Sequence, residues 1–567
     1  MTEGHIMRTL RTIRYLKPAQ VIHRLKREVQ HRGLGFLRRT GASGGPGKVM
    51  WRPLRTTTPF VTRKQFASAD IEKRRFTFLN ETRDFGNDID WSVPGAGRLW
   101  RYNLNYFDYL ETNEGLPTGL GVAIMCDWIE QNPPGTPDSW DPYPISLRTV
   151  NWMKYLGEEM VGRSDAGKIA GALYEQILWL EKDLEFHLLA NHLFKNAKAL
   201  AFAGLFFSGS DARRWFEKGL ALLKRELPEQ VLSDGGHFER SPMYHAMIFE
   251  DCLDLLNIWS HHDEKESKEI VLVLRETVSR MAHFLCGIVH PDGQLALFND
   301  SAFGIEAEPQ DLLDYYGRIM NIAPEAPSGR SWSFPETGYY VISPERDDRL
   351  IIDCGNIGPD YQPGHSHCDT LSFELSLNGK RVIVDSGCSS YEDGSVRQYN
   401  RGNAGHNTLA VDGENQSEVW SSHRCARRAY PLYATLAEEK DGQIAFRGAH
   451  DGYRRLPGKP IHTRSFIWAG KEILIEDIVE GVGRHSIEIS LHINPELFAE
   501  TRGETVAIVH DGEAIAAVSL CDGGPVEKRE GWYCPEFGKV VPCTVLQARY
   551  AKIELPFRCG WRINTSG

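Results

Sequence analysis

Residues 324–338 read PEAPSGRSWSFPETG, and the pattern of apolar residues differs on the two sides of this stretch. Upstream, YEQILWLEKDLEFHLL (174–189), NHLFKNAKALAFAGLFF (191–207), ARRWFEKGLALLKREL (212–227), HAMIFEDCLDLLNIW (245–259) and IVLVLRETVSRMAHFLCGIV (270–289) repeat apolar residues every three or four positions. That is the period of helices with one or more buried faces. Downstream, GYYVISP, RLIIDCG, LSFELSLNGKRVIVDSG, NTLAVDG, IAFRGAHDGY and HSIEISLHI alternate apolar and polar residues around Asn-Gly and Asp-Gly turns. Period two with such turns predicts antiparallel hairpins. The expected fold class is therefore α+β and multidomain, with a helical layer or (α/α) toroid followed by an antiparallel β-sandwich. The expected division is 1–48 as a basic arm and linker, 49–325 as the toroid, and 326–567 as the sandwich.

The chain has 567 residues, enough for several domains with substantial cores. Its 76 acidic residues exceed its 65 basic ones. That balance argues against a surface that coats nucleic acid, so a polyanionic ligand would need a local basic channel. The eleven cysteines contain no CxxC pair and are odd in number, so reduced thiols are expected.

The opening MTEGHIMRTLRTIRYLKPAQVIHRLKREVQHRG is basic, with Ile13, Leu16, Val21 and Leu25 near helical spacing and Pro18 as a break. It fits an arm packed on the protein, which ordinary priors favour, or one lying on an acidic or membrane surface. GASGGPG at 41–47 reads as a flexible linker. No apolar core of signal-peptide length follows the basic start, and no run approaches the ~18 apolar residues of a membrane span. A cytoplasmic, soluble protein without a transmembrane segment is expected.

Four clusters could carry chemistry. The first is YQPGHSHCDTLSFEL (361–375), in which His365 and His367 share one face of an extended segment. Asp385 and His406 also fall near strand ends, where a sheet could gather them with His367. Two imidazoles and a carboxylate suit Zn2+ with an open position, although the spacing matches no compact zinc motif. Hydrogen-bonded loop histidines are the alternative.

The second cluster is DGGHFERSPMYH (234–245), where Ser241-Pro242 predicts a helix start and puts Tyr244 in its first turn. The dipole there favours a phenolate, Arg240 could add to the effect, and free tyrosine, with a pKa of about 10, needs such help to act as a base. The third is Asn191-His192, placed near a helix cap as donors to an anionic group. The fourth interleaves aromatic and polar residues, with Tyr102, Asn103, Trp140 and Arg148 among them, as in a saccharide cleft. Core packing accounts for part of this set.

Together WRYNLNYFDYL, NHLFKNAKALAFAGLFF, DGGHFERSPMYH, GHSHCDTLSFELSLNGKRVIVDSG and YNRGNAGHNTLAVDG, in this order over roughly residues 98–420, resemble the heparinase II/III-like polysaccharide lyases. That family includes related alginate lyases. The resemblance implies a toroid followed by a β-sandwich, and β-elimination at a uronic acid to leave an unsaturated sugar. By motif match, Asn191 and His192 would hold the sugar carboxylate and stabilise the enolate-like intermediate. Tyr244 would be the acid, and also the base when proton and leaving group share a side. His365 would be the base for the opposite epimer.

His367, Asp385 and His406 match the family's zinc ligands, with the metal organising the site. Arg240 and Arg397 are further candidates for substrate or catalytic-loop contacts. The implied partner is an acidic polysaccharide or oligosaccharide, with nucleic acid excluded and the oligomeric state open. Many relatives are exported, so the periplasm is the alternative compartment, and the basic N-terminus resembles forms from bacterial surface-polysaccharide pathways. Two rival readings stand beside the lyase. One is a glycoside hydrolase using Glu239 and Asp234 as a carboxylate pair; the other is a catalytically idle glycan-binding or assembly protein.

Overall fold

The computed structural model describes residues 3–33, 49–112, 114–261, 265–439 and 442–565. The expected linker at 41–47 lies outside them.

Nine helices between residues 98 and 320 form two concentric layers among the described residues. The inner ones are Arg98–Tyr106, Pro142–Tyr155, Ala190–Phe206, Pro242–Trp259 and Pro309–Met320, and each packs on the next. Outside them lie Thr118–Gln131, Ser164–Lys182, Ser210–Gln230 and Lys265–Ile288. This layering is an (α/α) toroid. Burial follows the layers: every residue of Pro242–Trp259 is buried, whereas Ser210–Gln230 buries one stripe and exposes the other. A helix enclosed on all sides must be apolar nearly all round, and HAMIFEDCLDLLNIW is, apart from side chains that are paired internally.

Inner and outer layers approach closely at two glycines. A Cβ on Gly204 would lie 2.5 Å from the Phe216 Cβ, and one on Gly219 would lie 2.7 Å from the Ala201 backbone nitrogen. Only glycine lets these two backbones approach to this distance.

The chain then changes to strands, beginning at Ser331–Phe334. Two antiparallel sheets stack face to face. One runs in the order Pro431–Glu438, Ile444–His450, Ile461–Ala469, Glu472–Glu480, Phe557–Thr565, Glu513–Leu520, Thr505–His510, Phe498–Arg502. The other runs Glu527–Tyr533, Val541–Glu554, Arg484–Ile493, Lys380–Ile383, Phe373–Leu377, Arg349–Asp353, Tyr339–Ile342, Ser331–Phe334, with Leu409–Val411 added against Arg484–Ile493. The Asn378-Gly379 turn has both φ angles positive, 51° and 80°. That geometry closes a two-residue hairpin with Leu377 opposite Lys380, the pairing read from LSLNGKRV.

Phe373–Leu377 is buried on both faces. One face meets the facing sheet, where Phe373 and Phe466 have ring centroids 5.1 Å apart. The opposite face looks toward the helices: Phe334, Tyr339 and Val341 of this sheet cluster with Phe284 and Ile288 of the outer helix Lys265–Ile288. The eleven cysteines are all free thiols.

Two features join the halves that the period reading did not resolve. A small hairpin, Arg75–Phe78 with Glu81–Asp84, turns at Leu79-Asn80, and Asn80 donates to the Phe537 carbonyl at 2.9 Å. The basic N-terminus forms helices Glu3–Ile13 and Pro18–Gly33. Pro18 is the first residue of the second helix, where its missing N–H costs nothing. Gln20 donates to the carbonyls of Leu188 and Tyr361, at 3.4 and 3.2 Å. It thereby ties the loop ahead of Asn191 to the loop ahead of His365.

Candidate active site

The N-terminal ends of three inner helices, Pro142–Tyr155, Ala190–Phe206 and Pro242–Trp259, supply one wall of the site, and loops of the β half supply the other. Helix N-termini carry positive partial charge and unsatisfied N–H groups, so such a wall suits an anionic ligand. Three entries to this region pass through left-handed, non-glycine residues: Leu189 and Ala190 before Asn191, Arg240 before Ser241, and Asn299 before Asp300. Each such residue stores on the order of 1–3 kcal/mol of strain, which is characteristic of segments held in place for function.

Ser241 accepts a 3.2 Å hydrogen bond from the Tyr244 N–H, fixing the first turn of its helix. The Tyr244 ring lies on the His365 imidazole with centroids 4.0 Å apart, and its hydroxyl meets the Tyr391 hydroxyl at 2.9 Å. Burial pushes the Tyr244 phenol well above its usual range, and the neighbouring Tyr391 and Tyr143 push the same way. These effects act against the help that the helix N-terminus gives a phenolate, and they favour the protonated phenol. Arg240 cannot help, because its guanidinium donates to the carbonyls of Phe238, Glu336 and Thr337. It pins a turn of the helical half to the β half.

Asn191 is in the first turn after Ala190, and its amide donates to Glu239 Oε1 at 2.9 Å. The other Glu239 oxygen has no hydrogen-bond partner and stands 3.5 Å from His365 Nε2. His192 points its Nδ1 at Glu185, 3.0 Å away, and its ring lies 4.5 Å from Tyr143. Burial would raise Glu185, yet His192 and the Asn196 amide hold it below the usual carboxylate value.

Asp300 organises the β side. Burial opposes its charge, but the Arg397 guanidinium and hydrogen bonds from His365 and His367 hold its carboxyl well below the usual range. An anionic carboxylate can only accept. The 2.9 Å contact with His365 Nδ1 therefore places the proton there, and the 2.8 Å contact with His367 Nε2 does the same for that nitrogen. His365 Nε2 and His367 Nδ1 are left with lone pairs. Arg397 grips both Asp300 oxygens and the Ser422 carbonyl, so it is an anchor and not a substrate ligand.

Atoms of His367, Asp385 and His406 lie within 4.8 Å of one another, and all three residues are buried. His406 Nδ1 meets Asp385 at 2.7 Å, and His406 Nε2 is buried without a partner, like His367 Nδ1. Burial lowers the His406 imidazole, but the Asp385 carboxylate outweighs it and holds it above its usual value. Burial and mutual repulsion raise Asp353 and Asp369 beside Asp385, Asp369 to about 6. Two orphaned imidazole nitrogens among crowded carboxylates are what a divalent cation would satisfy, so the residues fit a metal ion.

Two expected sugar ligands lie elsewhere. Trp140 packs against Trp128 and Trp179 and donates to the Asn132 carbonyl. Arg148 is fully enclosed, donating to Gln176 and the carbonyls of Asn105 and Ser139. Both belong to the helical core, because the periodicity that marks an aromatic wall is also that of a buried helix face. Tyr102 is partly buried and donates to Asp141 at 2.6 Å, while Asn103 borders a cavity of about 170 Å³ with Phe303 and Phe537. Asp234 is consumed by Thr337 and the Gly236 N–H, so no Asp234–Glu239 pair faces a common bond.

Asp300, Glu185, Tyr391 and His423 were not read from the sequence. The His423 ring is exposed and lies 5.2 Å from Tyr391 and 6.1 Å from His365. Only chain closure brings these four to the site.

Residues 72–326 match the family model described as the heparinase II/III N-terminus, and residues 326–562 match that of the heparinase II/III-like C-terminal region. A "Heparin-sulfate lyase" of Bacteroides stercoris is 23% identical over 65% of this chain and 54% of its own length. The chain thus spans about half the length of the curated relatives it matches. A "FtsZ-localized protein C" of Caulobacter vibrioides is 22% identical over 54% of this chain and 50% of its own. A solved structure titled "Crystal Structure of Heparinase III" superposes with a TM-score of 0.69 at 18% identity, covering 97% of this chain and 92% of that one, which shows a shared fold. The chain belongs to the heparinase II/III-like family.

Proposed function

We propose that this protein is a polysaccharide lyase that cleaves an acidic, uronate-containing glycan by β-elimination. The observation that carries the reading is the Tyr244–His365 ring pair, centroids 4.0 Å apart, with Glu239 between His365 and the Asn191 amide: a donor and an acceptor beside helix ends that suit an anion. Asn191 and His192 would bind the uronate carboxylate and stabilise the charge that develops when C5 loses its proton. His365 Nε2, whose lone pair Asp300 keeps free, would accept that proton. Tyr244, protonated by its burial, would deliver its own to the 4-oxygen as the C4–O bond breaks and the C4–C5 double bond forms. Where the proton and leaving group share a side, Tyr244 would serve both steps only as the phenolate, taking the C5 proton and passing it to the 4-oxygen, and its burial opposes that form.

His367, Asp385 and His406 would hold Zn2+, which supplies fixed positive charge that organises the loop. The names of the relatives point toward a glycosaminoglycan. The basic N-terminus points instead to a bacterial surface polysaccharide, so both belong in the substrate panel.

The test follows the ultraviolet absorbance of unsaturated uronate during incubation with that panel. Tyr244→Phe should lower kcat by roughly 10²–10⁴-fold, and His365→Ala should do so for one uronate epimer more than the other. Saturated, water-added product ends would sink the reading in favour of a hydrolase. Tight binding with no product at any enzyme concentration would favour the idle binder.

A further inference from the structure

The two N-terminal helices are mounted with their polar sides inward. Arg11 pairs with Glu418 at 3.3 Å, and Trp420 donates to Thr12 at 3.2 Å. On the second helix, Gln20 holds two carbonyls, Arg27 reaches His187 at 2.6 Å, and His23 packs on Phe186. The apolar faces are left pointing at solvent. Ile6, Leu10 and Ile13 fall at i, i+4 and i+7 of the first helix, and Leu10 is 56% exposed. Val21, Ile22 and Leu25 form the outer face of the second, with Ile22 at 62% and Leu25 at 64%.

Elsewhere among the described residues, exposed large apolar side chains occur singly or as neighbouring pairs. Exposed apolar rows on two successive helices mark an interaction surface. Its charge identifies the partner. Residues 3–28 carry seven Lys or Arg and two Glu, in a chain of net charge −11; Arg11, Lys17, Arg24 and Arg27 are turned to the protein, and the rest remain at the surface. Arg14 and Lys26 are exposed beside the apolar rows, each four residues on from a row member, Leu10 and Ile22. Apolar rows bordered by basic side chains complement a lipid bilayer with anionic headgroups, with acyl chains for the first and phosphates for the second. A second copy docking by the same face would set basic border against basic border. Among the described residues no helix is long and apolar enough to cross a membrane.

We propose that the face formed by Ile6, Leu10, Ile13, Val21, Ile22 and Leu25 lies on the surface of an anionic membrane. The arm is thus a surface anchor, packed on the protein by one side and on lipid by the other. This inference does not depend on the lyase reading.

The experiment is co-sedimentation of the full chain with vesicles of phosphatidylcholine alone or mixed with phosphatidylglycerol. Wild type should partition to the anionic vesicles, less at higher salt, and not to the neutral ones. Leu10→Glu/Ile22→Glu/Leu25→Glu should lower that partition by about tenfold or more with an unchanged unfolding midpoint, since these side chains touch solvent in the folded protein. A second variant, Arg14→Gln/Lys26→Gln, should weaken binding and flatten the salt dependence. Equal partition of wild type and the triple variant, or no preference for anionic vesicles, overturns the proposal. So does a lipid-free dimer that the triple variant converts to monomer, which would assign the face to a second copy.

Discussion

At the scale of single residues, the site depends on which nitrogen of each histidine carries the proton. Asp300 settles this for two of them at once, freeing Nε2 of His365 toward the substrate wall and Nδ1 of His367 toward the metal triad. It stands behind both imidazoles and outside the triad itself, so its role is positioning. Asp300→Asn replaces one acceptor oxygen with a donor, which suits neither imidazole in its present tautomer. In initial-rate measurements, kcat should fall roughly 10²–10⁴-fold with KM little changed, by analogy with other carboxylates that orient a catalytic histidine. The zinc proposed for His367, Asp385 and His406, measured by elemental analysis, should be lost more readily as well, since partners behind a ligand typically contribute 10–100-fold in affinity. Full kcat in the Asp300→Asn variant would show that Asp300 is merely structural.

At the scale of elements, what the sequence made legible was whatever local chemistry imposes. Ser241-Pro242 starts a helix, Asn378-Gly379 turns a hairpin, and the switch from period 3.6 to period 2 separates toroid from sandwich. His367, Asp385 and His406 could be grouped because each stands near a strand end of one sheet. Asp300, Glu185 and Tyr391 could not, for they lie in irregular segments whose place is set by the meeting of toroid and sandwich. Trp140 and Arg148 were misplaced for a related reason, because inner helices are buried on every side and an aromatic-rich stretch does not reveal which face borders a cleft.

Helix packing gives this scale its prediction. The helices Ala190–Phe206 and Ser210–Gln230 approach at Gly219, where a methyl group would sit 2.7 Å from the Ala201 nitrogen and 2.9 Å from the Ala197 carbonyl. These are backbone atoms and cannot rotate away. Gly219→Ala should destabilise the protein by about 1–3 kcal/mol in denaturant unfolding, although alanine is otherwise the better helix former. Because the displaced helix carries Asn191 and His192, activity should fall before global unfolding begins.

At the scale of the whole molecule, the site exists only while toroid and sandwich keep their registry. Arg240, the Leu79-Asn80 hairpin and Gln20 each cross between them, but the most buried crossing is centred on Glu374. This strand residue accepts from His290 at 2.9 Å and from Arg381 at 3.2 Å, while its second oxygen accepts from the Asp385 N–H at 2.9 Å. His290 follows the outer helix Lys265–Ile288, so one carboxylate joins the helical half to the backbone of a residue in the metal triad. Burial would raise Glu374, but Arg381 and His290 keep it below its usual value, and it is charged at neutral pH.

Removing Glu374 leaves Arg381 with Asp292 as its carboxylate partner but strips the buried His290 Nε2 and the Asp385 N–H of their acceptor, which together costs on the order of 3–5 kcal/mol. Glu374→Ala should therefore lose about that much stability. It should also split a single unfolding transition into two as the halves uncouple, with tryptophan fluorescence reporting mainly the tryptophan-rich toroid and circular dichroism reporting both. A variant that unfolds in one transition at the wild-type midpoint would mean that the apolar contacts of Phe284, Phe334 and Tyr339 hold the registry without Glu374.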